Sequence, residues 1–267
     1  MAPFYTFFPV WSIFSQLVAF LLLLGAQRLL KRRLSKHFDM LNEFLCCCIW
    51  LWWSLETTLI GNSSWLAGNI ALFIRLVAYS YIPQGASVSL CTALYLYWTG
   101  DRSRRNNIRR LCVSLLTALV AVPVTLLFCH YYWTLLGVTV STDHSIFMEA
   151  KPSYFLTTTL LYGVIYELVP SFLMFLPSIL NQSKSLLFVV CDTFVVLGLV
   201  YWAADYTGAF MNPMVALAFT VYWHTLSPLD YATHVIVFWA GPLIGTWAAA
   251  KLKLRYEDYQ DKHYKLT

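Results

Sequence analysis

Nine apolar stretches, at 11–30, 39–60, 65–81, 83–99, 111–136, 153–180, 186–204, 213–223 and 229–250, take up most of this 267-residue chain. A helix needs about 20 apolar residues to cross a hydrocarbon core about 30 Å thick. Seven of the stretches reach that scale, whereas 213–223 is too short to span and 83–99 is borderline and opens on a proline. The gaps between them leave no room for a separate soluble domain. Charged residues make up 12% of the chain and hydrophobic ones 59%, whereas a soluble domain carries about a quarter charged residues. The expected fold class is an all-α membrane protein.

The eighteen Lys and Arg residues decide how the two doubtful stretches run. Basic residues gather on the cytoplasmic side of membrane proteins. Here they cluster over 28–36, 102–110 and 251–265, with Lys184 alone between. If 83–99 and 213–223 each dip into the membrane and return on the same side, every basic residue except Arg75 and Lys151 lies on one face. If both cross fully, the 102–110 cluster and Lys184 are stranded outside. Two re-entrant segments are therefore expected. The N-terminus then lies outside or in a lumen, and the first stretch is an N-out anchor. Leu24-Gly25-Ala26 would pass as the cleavage site of a signal peptide, but the positive charge follows the apolar run instead of preceding it. The net charge of +5 is topology information; the basic residues form no single patch of the kind nucleic acid requires.

The remaining six spans fall into two groups of three, 39–136 and 153–250. An extra hydrophobic helix and basic linker (1–38) precede them. A non-cytoplasmic loop (137–152) joins them, and a cytoplasmic tail (251–267) follows. Each group opens on a span carrying a buried-looking glutamate, Glu43 in LNEFL and Glu167 in YELVPSFL, and later reaches a proline that starts its short segment, Pro83 or Pro213. The glutamates lie 124 residues apart and the prolines 130, a near-constant offset that marks an internal repeat. Three spans per copy is odd, so the second copy enters from the opposite side. Inverted repeats with broken half-helices are what such transport folds use.

Irregular backbone at membrane depth survives only where it is buried or lines a watery cavity. Half-helices starting at Pro83 and Pro213 therefore imply a polar path. Proline in the first turn costs no hydrogen bond and presets φ. Asn212 is a good N-cap for the second half-helix, and its amide can donate to whatever occupies the path. The positive ends of two helix dipoles would repel cations and protons while admitting neutral dipoles.

ADYTGAFMNP (204–213) resembles the second signature loop of the aquaporin family, whose pattern is roughly D-Y-T-G-x-x-x-N-P-A-R. VFWAGPLIGTWAAA (237–250) resembles that family's last span, and NEFL and YELVPSF resemble the starts of its first and fourth spans. The likeness covers about residues 39–250. It implies an aquaporin-like inverted repeat of six spans and two half-helices, with the N-terminal helix as an addition. It also implies passive permeation of water and of small neutral solutes such as glycerol or hydrogen peroxide, a homotetramer, and no cofactor. In the family, the residues matching Glu43 and Glu167 accept N–H bonds from the loop backbones; by themselves, intramembrane carboxylates also admit a proton-site reading.

The departures are informative. Where the family has Asn-Pro-Ala twice, this chain has Ile82-Pro83-Gln84 and Asn212-Pro213-Met214. Val215 replaces the family's filter arginine, Val200 its filter histidine, and Ala209 occupies a third filter position. A degenerate first motif and a missing arginine resemble the superaquaporin branch, which is mostly intracellular. An intracellular membrane, the endoplasmic reticulum, is the implied location. The same losses feed a rival, an aquaporin-like protein that no longer transports and serves a structural or interaction role.

Arg75 admits a pore-lining place, though an arginine in a span more often snorkels or pairs with a carboxylate. Asp192 is similarly placed. The seven cysteines form no CxxC pair and read as small apolar side chains. The six histidines show no HExxH or close grouping with acids, so no metal site is expected. With no catalytic pair either, an enzyme is the weakest reading. Asn62-Ser63-Ser64 is a sequon on the non-cytoplasmic side and a glycosylation candidate. The re-entrant topology places 100–110 and 251–267 in the cytosol and 137–152 across the membrane. A single cysteine at position 105 in a cysteine-free background is expected to react with impermeant maleimide only from the cytosolic side; labelling from outside would overturn the topology.

Overall fold

The computed structural model describes residues 7–34, 37–81, 86–100, 104–139, 156–180, 185–223 and 227–264. They form α1 (Phe7–Arg33), α2 (Phe38–Ser63), α3 (Trp65–Tyr81), α4 (Leu90–Thr99) and α5 (Arg104–Thr139). After these come α6 (Leu160–Leu173), α7 (Leu176–Leu180), α8 (Leu186–Thr207), α9 (Pro213–Trp223), α10 (Pro228–His234), a π-helical turn (Val235–Ala240) and α11 (Gly241–Tyr264). No strand occurs among the described residues. Apolar sequence in a bilayer must satisfy its backbone locally, and helices do so.

Six helical segments are long and apolar enough to cross a membrane: Trp11–Arg33, Phe38–Gly61, Ile108–Leu135, Leu160–Leu180, Leu186–Thr207 and Leu229–Lys262. This is the make-up of an integral multi-pass membrane protein. The seventh expected span, α3, is 17 residues long. Many large apolar side chains point outward, among them Leu22, Leu161 and Leu187 at 68%, 68% and 74% exposure. Faces of that kind suit hydrocarbon and would aggregate in water.

Three stretches depart from expectation. The segment 83–99 is not one helix from Pro83, because residues 86–88 are non-helical and α4 begins at Leu90 behind Ser89. The stretch 153–180 is broken by a turn at Met174 and Phe175 between α6 and α7. The last helix does not stop near 250 but continues through charged sequence to Tyr264.

The chain divides into two compact units, and the division does not follow the two sequential halves. The first comprises the described residues of Met1–Val88, Val113–Ser153 and Leu217–Thr225. In it, α1 turns one stripe inward: Ser12, Gln16, Leu23 and Gln27 are all at most 2% exposed. Spacings of four, seven and four residues put them on one helical face. Ser12 Oγ donates to Glu56 Oε1 at 2.5 Å, and Trp133 Nε1 donates to Glu56 Oε2 at 2.6 Å. At the other end of α1, Gln27 Nε2 donates to Asn42 Oδ1 at 2.8 Å. Hydrogen bonds of this kind join helices in lipid, where apolar contact alone gives little preference. Trp52 of α2 meets Phe128 and Tyr132 of α5 edge-on, each at 5.6 Å.

The second unit comprises the described residues of Ser89–Cys112, Tyr154–Ala216 and Leu226–Thr267. Its tightest packing is between α6 and α11 and depends on glycine. A Cβ on Gly245 would collide with the carbonyl oxygen of Leu168, and one on Gly241 would stand 3.1 Å from Glu167 Cβ. Against the same helix, Tyr95 of α4 stacks on Phe175 at 4.3 Å beside Ala249 and Ala250. By contrast, a Cβ at Gly198 meets nothing within 4 Å. Gly245→Ala and Gly198→Ala should therefore act with opposite sign. Overpacking against backbone costs about 1–3 kcal/mol, whereas alanine in an open helix gains up to about 1 kcal/mol over glycine. Thermal unfolding in detergent should show a lowered midpoint for the first and an unchanged or raised one for the second.

Candidate functional site

Two buried glutamates each hold a short irregular loop, and each does so within one unit. In the first unit, Glu43 on α2 is 3% exposed. Its Oε2 accepts the backbone N–H of Ser87 at 2.7 Å, and its Oε1 accepts that of Val88 at 3.0 Å. The hydroxyls of Ser87 and of Ser114 on α5 each donate to Oε1 at 2.9 Å. Tyr79 on α3 braces the same loop by donating to the Ser87 carbonyl at 3.2 Å. Val88 has φ 59°, in the left-handed region that a β-branched residue resists. The carboxylate bonds to the N–H groups of Ser87 and Val88 anchor the backbone that leads into that conformation.

In the second unit, Glu167 on α6 is fully buried. Its Oε1 accepts the N–H of Phe210 at 3.1 Å, and its Oε2 accepts that of Met211 at 2.7 Å. This loop leaves α8 through Gly208 at φ 78°, then passes Ala209 and Met211 at φ 51° and 48°. Gly208 is needed for that exit, since it occupies the left-handed C-cap where a side chain is disfavoured. Phe210 meets Phe238 of the π-helical turn edge-on at 5.5 Å.

A side-chain cap follows each loop. Asn212 Oδ1 accepts the N–H of Met214 at 3.1 Å, and α9 starts at Pro213. Ser89 Oγ accepts the N–H of Cys91 at 3.2 Å, and α4 starts at Leu90. The first half's cap is thus Ser89, seven residues beyond Ile82. Proline preference misplaced it. The glutamate offset carried the better signal: subtracting 124 from 212 lands on Val88, next to Ser89. Ser87 and Met211, whose N–H groups are both held at 2.7 Å, are likewise 124 residues apart.

Ile82, Pro83 and Gln84 lie outside the described residues, and Asn62 falls in the last turn of α2. Pro213, Met214 and Val215 form the first turn of α9, with Met214 and Val215 at 1% and 6% exposure. Ala209 is in a buried cluster with Ala203 and Met211, against which Val200 packs. The sequence reading overlooked Glu56, although it lies in the same apolar stretch as Glu43. No three His, Cys, Asp or Glu side chains come together as a metal would need, among the described residues.

The paired N–H bonds explain why a carboxylate is required. A glutamine offers one oxygen and turns an amide N–H toward a backbone donor. Glu167→Gln leaves one buried donor unpaired, at a cost of about 1–3 kcal/mol. Its unfolding midpoint in detergent should fall clearly, whereas a wild-type midpoint would remove the loop-holding role. Comparison with known proteins returned no match, either to a family model or to a curated protein.

Proposed function

We propose that the chain is a passive channel for water and small neutral solutes, glycerol and hydrogen peroxide among them, of the aquaporin type and its superaquaporin branch. The observation that supports this most is the recurrence, at an offset of 124 residues, of a buried glutamate holding a strained loop just before a capped short helix. Non-helical backbone among membrane helices is tolerated where it is buried in protein or lines a polar route. Short helices that begin at such loops present positive dipole ends, which disfavour cations and accept neutral dipoles. Halves at 39–136 and 153–250, related by inversion and each carrying one half-helix, are the architecture such a channel uses. A homotetramer in an intracellular membrane, the endoplasmic reticulum, belongs to the same proposal.

In this channel Val200, Ala209 and Val215 form an apolar filter. Such a filter offers water few hydrogen bonds but leaves room for bulkier neutral molecules. A second reading, a non-transporting structural or interaction protein, has one observation in its favour. Ala209 at 7% and Val215 at 6% exposure are buried, as core residues would be.

Stopped-flow light scattering on reconstituted liposomes separates the two. The channel should pass glycerol measurably and water modestly. Val215→Arg should lower glycerol flux more than water flux, by about tenfold if the added side chain costs 1.4 kcal/mol at the narrow point. Wild-type protein that passes neither solute above the lipid background would leave the structural role.

A further inference from the structure

Independently of whether the chain conducts, we propose that the second unit carries a binding surface for phosphoinositide headgroups, built from the arginines at the start of α5 and the basic residues of α11 just beyond Trp247.

The basic groups of the chain differ in make-up. Those at 28–36 and 251–265 mix lysine with arginine, whereas 102–110 holds five arginines and no lysine. Membrane topology is served by either residue, since both count in the positive-inside bias. Bidentate phosphate recognition is not, because only the planar guanidinium donates two parallel N–H groups to one phosphate. An all-arginine cluster therefore exceeds what orientation in the bilayer demands. The expected cytosolic placement of 100–110 and 251–267 puts both parts at the leaflet that carries anionic lipids.

The apolar span of α5 begins at Ile108. Arg104 and Arg105 thus occupy the helical turn before it, and Arg109 and Arg110 its first turn. That is the depth of lipid phosphates. Ile108, Arg109 and Cys112 are all exposed. Positions 105, 109 and 112 recur at i, i+4 and i+7 and share one helical face. Arg109 forms no ion pair among the described residues, and the first turn of α5 holds no acidic residue. Arginine beside the positive end of a helix dipole is unfavourable, and a bound anion offsets that repulsion.

α11 supplies the second part. Trp247 is 50% exposed, and Lys251, one turn on, places its ammonium 5.9 Å from the centre of that ring. An exposed tryptophan with a lysine above it fits the membrane–water boundary. Lys251 and Arg255 are exposed and form no ion pair among the described residues. Lys253 instead reaches Glu257 at 3.6 Å and lies 5.7 Å from the ring centre of Tyr95 on α4. That contact brings the two parts together, because α4 ends at Thr99 and α5 starts at Arg104. At about 3.5 Å per residue, Arg104 lies within about 18 Å of Thr99. The acids of α11 begin only at Glu257, about 9 Å along the helix axis beyond Lys251.

The test titrates detergent-purified full-length protein with dioctanoyl phosphatidylinositol phosphate, phosphatidylserine and phosphatidylcholine, and with inorganic phosphate, following binding by thermophoresis at fixed salt. The phosphoinositide should bind about tenfold or more tightly than phosphatidylserine, while phosphatidylcholine and inorganic phosphate bind negligibly. Arg109→Gln should weaken phosphoinositide binding about fivefold, the effect of about 1 kcal/mol per cationic residue at a membrane surface. Arg105→Lys, Arg109→Lys and Arg110→Lys combined keep the charge that orients the chain, and carry the test if Arg109→Gln does not fold. The combination should weaken phosphoinositide binding about tenfold and leave phosphatidylserine binding within about twofold. Equal affinity for the two anionic lipids, or a folded lysine variant that binds phosphoinositide as wild type does, would leave an unselective charged rim and overturn the assignment. Inorganic phosphate that binds as tightly as the lipid would replace the lipid surface by a soluble-anion site.

Discussion

The two loops at Ser87–Val88 and Phe210–Met211 depend on carboxylate oxygens accepting backbone N–H groups. Two loops leave helical geometry inside a chain made for hydrocarbon, and each exposes donors that lipid cannot satisfy. An unpaired buried donor costs about 1–3 kcal/mol, and a left-handed valine adds its own penalty. Glu43 and Glu167 answer the first demand directly, because two oxygens reach two successive N–H groups, and they anchor the backbone leading into the left-handed residue. The caps at Ser89 and Asn212 then start the short helices that follow.

The close packing of α6 on α11 follows from the same need. Glu167 reaches its loop from a helix that lies near its neighbour at Gly241, where a side chain would crowd the glutamate's own Cβ. In the first unit the analogous support is polar instead: Ser114 and Ser87 hydroxyls fill the space around Glu43 Oε1.

How much of this was legible in the sequence differed from residue to residue. Apolar runs marked the helices, since a run of that length has few other uses. The glutamates stood out because charge in an apolar stretch is rare. Asn212 was readable because it precedes a proline that starts a helix. Ser89 was not, because serine before leucine is common and Pro83 drew attention to the wrong turn. Glu56 shares its stretch with Glu43, yet its partners Ser12 and Trp133 come from helices whose facing sides no local pattern discloses. Arg75 was visible as an anomaly, while its seat on Trp50 depends on how α2 and α3 rotate against each other.

The Glu56 contact has a consequence for biogenesis. Ser12 precedes Glu56 by 44 residues, and Trp133 follows it by 77. At roughly 5–20 residues per second, the tryptophan leaves the ribosome about 4–15 s after the glutamate. For that interval a carboxyl inside an apolar segment has one of its two hydrogen-bond donors, and that donor is on α1. Of the two donors that hold Glu56, the one on α1 is therefore already synthesised when the acid is made, and the one on α5 is the last part of the site to be added.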